Sequence, residues 1–396
     1  MISQEVQALE IEKLKLKVKD AVESQRQQLI QLSLKIHDNP ELGFEEKKAM
    51  AWLTSYLEDN EFHVERGIAD IATAFRATYG QGSPRIALLA EYDALPKIGH
   101  GCGHNIIASS AVGAAIGSKP IIDQLGGSIV VLGTPAEENF GGKINMVQAG
   151  VFNEIDVAMI IHPDVRNLAT IRALACTGVE VEFFGKPAHA SAEPHKGINA
   201  LEATILAFNS INSLRQHIKE GARIHGIITD GGEAPNIVPA HSAAEFYVRA
   251  PDSEYLDELK RKDSNCLIGA STASGARLEY RWDEIAFDSM KNNETLAELF
   301  KQNLESLGRH VVAFEPEFGL GSTDMGNVSQ VVPSIHPTIA IASPDVLGHT
   351  PEFAAAAASE AGHEGLMDAA KALAMTVADI LQPGMFDKIK QEFCHG

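Results

Sequence analysis

The chain has 396 residues, 45% hydrophobic and 22% charged, a length for two or three domains and the mix of a soluble globular protein. Gly and Pro number 33 and 17, close to ordinary usage, which excludes collagen-like and low-complexity classes. With 33 Lys and Arg against 53 Asp and Glu, the formal charge is −20, and so acidic a surface repels phosphate backbones and anionic membranes, so neither is expected as a partner.

The four cysteines, Cys102, Cys176, Cys266 and Cys394, form no C-x-x-C pair and suit a reducing compartment, so a cytoplasmic protein is expected. Residues 1–35 carry charges throughout and contain no apolar h-region, so no signal peptide is expected. No run reaches the roughly 18 apolar residues of a membrane helix.

In chain order, residues 3–35 are expected as one helix, with Val6, Leu9, Leu14, Val18, Val22 and Leu29 on its buried stripe, ended by Asn39-Pro40. A second amphipathic helix spans 45–60. A buried strand at 85–90 leads into Glu91-Tyr92-Asp93 and a small-residue helix around 105–117. Strand 127–132, helix 142–150 and strand 155–161 follow, an alternation that specifies an α/β domain with a mostly parallel sheet and helices on both faces. Strand 177–184, helix 197–218, strands 224–230 and 241–249, helix 252–270 and strand 277–284 then give the β-α-β-β-α-β order of a ferredoxin-like α+β unit. The domain division is therefore 1–172 with 286–396, and an inserted domain at 173–285. Alternation resumes near 290 and ends in an Ala-rich helix over 353–381.

Three strands of the first domain end in metal-ligand residue types. His100-Gly101-Cys102-Gly103-His104 follows strand 85–90, Pro135-Ala136-Glu137-Glu138 follows strand 127–132, and His162-Pro163 follows strand 155–161. Ligands of open α/β sheets bind at the carboxyl ends of strands, so the three clusters point to one edge. Each has a plainer account. Cys102 alone suits a small buried apolar residue, His162 a hydrogen-bonded strand end, and Glu137-Glu138 a solvated acidic turn. Against the last, adjacent carboxylates repel unless a cation sits beside them.

The runs AEYDALPKIGHGCGHN, TPAEE, IHP, GKPAHASAEP, GGEAPNIVPA and LGHT, in that order from about 37 to 381, resemble the M20 metallopeptidase and amidohydrolase family. The resemblance is to its aminoacylase-like (M20D) branch with a Cys-Gly-His ligand motif, of the aminobenzoyl-glutamate hydrolase type. It implies two divalent ions per subunit (Zn or Mn, with Co a further option), held by Cys102, His104, Glu138, His162 and His349. It also implies Glu137 as general base and Asp93 behind the metals as an orienting group, whose plainer account is a strand-end cap. In the inserted lid or dimerisation domain it implies His189 as a histidine offered across a homodimer interface, and Asn236 and Arg249 as holders of a substrate carboxylate. A bidentate guanidinium suits that task, although Arg249 also reads as a surface residue of an edge strand, with His225 a competing domain histidine. Phe140, after Glu138, is expected to narrow the pocket. Gly321–Gly326 resembles a family loop near the substrate.

The implied chemistry is hydrolysis of an amide bond in a small N-acyl amino acid or dipeptide by a metal-activated water, with Cys102 a thiolate ligand kept ionised by metal and neighbouring histidine. Two other classes remain open. One is a non-catalytic binding or assembly subunit on the same fold. The other is a hydrolase whose nucleophile is Cys102, served by His100 or His104.

Overall fold

The computed structural model describes residues 4–315 and 321–395; the side chains of residues 4–9, which include Val6 and Leu9, and of Asn139 and Phe140 lie outside the described set. Two compact units divide the chain, Met1–Arg172 with Met290–Gly319 and Asn327–Gly396, and Ala173–Ser289 with Leu320–Gly326.

The first unit is built on a six-stranded sheet in the order His63–Arg66, Phe75–Gln81, Gly127–Gly133, Arg85–Ala90, Val157–Met159, Ser334–Ile335. Its last four strands are mutually parallel, and the first two form an antiparallel edge that hydrophobic patterning did not disclose. The outer strand His63–Arg66 is largely exposed, so it carries little apolar signal. Every residue of Gly127–Gly133 is buried, so the sheet is covered on both faces there.

The expected N-terminal helix is two helices, Gln4–Glu23 and Arg26–His37, separated by a turn. The small-residue helix extends over His104–Leu125 and is the packing centre of this unit. By length and composition it is apolar enough to cross a membrane, but it lies mostly buried in the core. A Cβ on Gly113 would stand 2.6 Å from Leu29 and one on Gly117 2.3 Å from Val22, so a side chain at either position would displace these residues of the N-terminal helices. The C-terminal Ala-rich segment is likewise two helices, Pro351–Ala357 and Glu360–Ile380, the second capped by Ser359, whose Oγ accepts from Gly362 N at 3.2 Å.

Beyond Met159 the sheet is interrupted and then resumes as a parallel pair, His162–Asp164 with Thr338–Ala340. His162 N donates to Pro337 O across this break at 2.9 Å. The break brings the His162 and His336 rings side by side, 5.7 Å apart.

The second unit is an antiparallel four-stranded sheet in the order Arg277–Trp282, Ala175–Phe184, His241–Ala250, Arg223–Asp230. Helices Ala200–Leu214 and Ser253–Ser274 complete the β-α-β-β-α-β order. Asn199 and Asp252 cap them, accepting from Glu202 N at 3.1 Å and Tyr255 N at 2.7 Å. Burial alternates along His241–Ala250, and Phe246, Val248, Val181 and Leu259 belong to one core. This unit also takes in Leu320–Gly326, because Leu174 N donates to Gly321 O at 2.9 Å and the backbone of Gly326 lies against Asp288, where a Cβ would meet Asp288 O at 1.9 Å.

Asp263, on the inner side of helix Ser253–Ser274, is fully buried and neither carboxylate oxygen has a hydrogen-bond partner. Burial pushes its carboxyl up to about 7, with Arg215 opposing. The folded chain therefore holds a proton that the unfolded chain releases near the ordinary carboxylate value. This group's contribution to stability is full below pH about 4 and falls as pH rises towards 7. Asp263→Asn is expected to remove a loss on the order of a few kcal/mol across that window, read as a flatter denaturation midpoint between pH 4 and 8.

Candidate metal centre

Five separate segments of the first unit bring the centre together. Arg85–Ala90 ends in Glu91 and Asp93, which are two residues apart and both buried. The chain returns through a loop to Gly103, whose φ of +73° turns it into the helix that His104 opens. A Cβ on Gly103 would stand 2.9 Å from Pro163, so glycine there lets the His162 strand end approach. Gly101 O accepts from His349 N at 3.1 Å, which ties the C-terminal loop to the Gly-rich one. His349 has a φ of +61°, an uncommon conformation for a non-glycine residue that the surrounding contacts must hold.

Asp93 joins two of these segments. His104 Nδ1 lies 2.9 Å from Asp93 O and 3.0 Å from Asp93 Oδ1, while Asp93 Oδ2 accepts from Glu138 N at 3.0 Å. A backbone carbonyl only accepts, so the proton of His104 is assigned to Nδ1 and Nε2 presents its lone pair inward. His162 is set the same way, with Nδ1 donating to Pro163 O at 2.7 Å. The His104 and His162 rings meet edge to face at 5.7 Å. Glu138 lies between two histidines, its Oε1 3.7 Å from His104 Nε2 and its Oε2 3.7 Å from His349 Nε2.

Two ligand clusters result, each with its donor atoms within 4.8 Å of one another: Cys102, Glu138 and His349, and Glu91, His104 and Glu137. His104 Nε2 and Glu138 Oε1 are buried without a hydrogen-bond partner. A thiol sulfur, imidazole nitrogens and carboxylate oxygens with inward lone pairs suit divalent transition ions such as Zn, Mn or Co. Cys102, His104, Glu138, His162 and His349 are thus near neighbours, with Glu137 half-buried beside them.

Electrostatics match that donor set. Burial opposes charge on His104, yet Asp93, Glu91 and Glu138 raise its pKa well above the ordinary value, so the cluster draws positive charge. His162 is held low by burial and by His104. The Cys102 thiol is pushed up by burial and by Glu138, Glu137 and Asp93. The expectation that a neighbouring histidine keeps this thiol ionised is corrected here: carboxylates dominate its surroundings, and only an added cation would favour the thiolate. His100 turns away to stack on His37 at 6.1 Å, and burial followed by His104 lowers it to about 3.

Sequence reasoning missed four buried groups around the cluster. Glu46 is fully buried, its Oε1 accepts from Ala136 N at 2.9 Å just ahead of Glu137, and burial raises its carboxyl to about 7. Glu91 faces His104 Nε2 at 3.5 Å, Lys143 backs Glu91, and His336 lies beside His162. Glu91 was readable as sharing a side with Asp93 through its two-residue offset. Lys143 carried no signal, since lysines are seldom buried.

His189, Asn236 and Arg249 belong to the second unit. His189 bridges to Ile237, and Ala190 N donates to Asn236 O at 3.0 Å, so His189 and Asn236 lie on adjacent stretches. Arg249 stands on an interior strand, correcting the edge-strand reading; its Nη1 donates to Ser322 Oγ at 2.8 Å and its Nε to His225 Nε2 at 3.4 Å.

Residues 176–265 match the Peptidase dimerisation domain of M20 proteins. The chain is 37% identical over 403 residues to the Xaa-Arg dipeptidase of Mus musculus, covering 98% of this chain and 93% of the relative. It is 31% identical over 454 residues to a p-aminobenzoyl-glutamate hydrolase polypeptide of Escherichia coli K12, covering 95% and 94%. A solved dinuclear metal binding peptidase of the M20 family from Bacillus subtilis superposes with a TM-score of 0.72 at 20% identity, covering 91% of this chain and 99% of that one.

The double hold of Asp93 predicts that Asp93→Asn, whose amide would face the Glu138 N–H, weakens metal binding about 10- to 100-fold. Competition with a chromophoric chelator reads this directly, and unchanged affinity would reduce Asp93 to a strand-end cap.

Proposed function

Because the chain belongs to the M20 family of peptidases, we propose that it hydrolyses the amide bond of a dipeptide or small N-acyl amino acid at a two-ion centre held by Cys102, His104, Glu138, His162 and His349. The observation that carries this reading is that Glu138 stands 3.7 Å from both His104 and His349 and shares a donor cluster with Cys102, while the His162 ring lies against His104.

When bound, the ion pair would supply an acidified water and polarise the scissile carbonyl. Glu137 is the general base: it takes the proton from that water and passes it to the leaving amine, and its carboxylate lies within 4.8 Å of the donor atoms of Glu91 and His104. Asp93 orients His104 and the Glu138 backbone. In the second unit, His189 is assigned to the developing oxyanion across a homodimer, and Asn236 and Arg249 to a substrate carboxylate, on family resemblance and on the dimerisation-domain match.

The substrate to test first is a dipeptide with a C-terminal arginine, the class in the name of the mouse relative, followed by p-aminobenzoyl-glutamate. A formal charge of −20 favours approach of a cationic substrate. The thiol-nucleophile alternative is opposed by the raised Cys102 pKa, since such enzymes need a lowered one. The binding-subunit alternative is opposed by the presence of Glu137 and the full donor set.

Glu137→Gln is expected to retain metal and lose about 10²- to 10⁴-fold in kcat, measured as free amine released; retained turnover would refute the base assignment. Chelation should silence the enzyme until metal is returned, whereas a thiol hydrolase would survive it. Sedimentation of the active protein tests the dimer, and a fully active monomer would remove His189 from the reaction.

A further inference from the structure

Glu91 belongs to the second donor cluster but not to the five residues that the family resemblance implies as ligands, and it is among the most deeply buried side chains of the centre, at 1% exposure. Its Oε1 is 2.7 Å from Lys143 Nζ, an ion pair in which the lysine is 0% exposed. Its Oε2 is 3.5 Å from His104 Nε2 and has no hydrogen-bond partner. Glu138 Oε1 completes the group, 3.7 Å from the same nitrogen and also without a hydrogen-bond partner.

With the His104 proton on Nδ1, three lone pairs face one another inside the protein. A proton on Nε2 would satisfy neither oxygen, because both separations exceed hydrogen-bond length. A cation between them would satisfy all three. At metal–donor lengths of about 2.1 Å in tetrahedral geometry, two donors stand about 3.4 Å apart, close to the 3.5 Å found between Glu91 Oε2 and His104 Nε2. Lys143 is what makes such a carboxylate tenable. A buried glutamate is costly alone, and the ammonium on Oε1 both offsets its charge and leaves Oε2 turned towards His104.

We propose that Glu91 is a ligand, through Oε2, of the ion that His104 holds, and that Lys143 is the positioning residue that fixes its other oxygen. This rests on the metal-centre reading above. It makes the two ion sites unequal, one of thiol, carboxylate and exposed imidazole from Cys102, Glu138 and His349, the other buried and lined by Glu91 and His104.

The test uses the full chain stripped of metal and titrated with Zn and, separately, Co, with stoichiometry read by elemental analysis and affinity by chelator competition. In Glu91→Gln, the second ion is expected to bind at least about tenfold more weakly, so that one ion per chain remains at limiting metal. The sulfur-to-cobalt absorption from Cys102 should persist while the d–d bands of the other ion change. Lys143→Met should weaken the same ion and spare the Cys102 signal. Two ions held with unchanged affinity and spectrum in Glu91→Gln would overturn the proposal and make Glu91 a structural counterion of Lys143. If Glu91→Gln does not fold, Glu91→Asp carries the test, since it keeps the charge pair but is one methylene short; unchanged binding there would likewise overturn it. Absence of any ion pair in the unmodified protein would instead refute the metal-centre reading itself.

Discussion

Asp93 accepts from two directions, the His104 ring on one side and the Glu138 backbone N–H on the other. Those hydrogen bonds fix which nitrogen of His104 faces inward and where the acidic turn begins. Asp93 itself is held at the end of a buried parallel strand, in the middle of the sheet, where neighbouring strands leave it little freedom. The placement of His104 and Glu138 therefore derives from the sheet through one carboxylate. Ligand precision of this kind comes from groups that do not touch the ligand.

Around this anchor the protein concentrates negative charge in a place shielded from water. Glu91, Asp93 and Glu138 are buried or nearly so, and Glu137 is half-buried beside them. Carboxylates in such numbers repel, and burial magnifies the repulsion. The raised His104 and the suppressed ionisation of Cys102 are two expressions of one demand for positive charge. Lys143 answers part of it from behind. The remainder is a demand for positive charge that the proposed cation pair would meet.

The second unit achieves stability differently. Its alternating strands and two capped helices bury an ordinary apolar core, with Asp263 as an ionisable group left inside. Its edge strand Arg223–Asp230 is mostly exposed, including Ile227 at 63%, as suits a domain of the dimerisation type.

Composition, periodicity and motif order determined the α/β class, the mostly parallel sheet, the β-α-β-β-α-β order of the inserted segment, and the loops that carry Cys102, His104, Glu138 and His162, because each is a local pattern written within a few residues. His349 was reachable only through family resemblance, since nothing local distinguishes Gly348-His349-Thr350. The break that makes two helices of residues 3–35, the antiparallel edge at 63–81 and the second helix break at Ala358-Ser359 depended on packing rather than on pattern. The partners of Asp93, the burial of Glu46, Glu91 and Lys143, and the pairing of His162 with His336 were decided by tertiary structure alone. They join segments tens to hundreds of residues apart, and a side chain's charge state and direction follow from what folding places beside it.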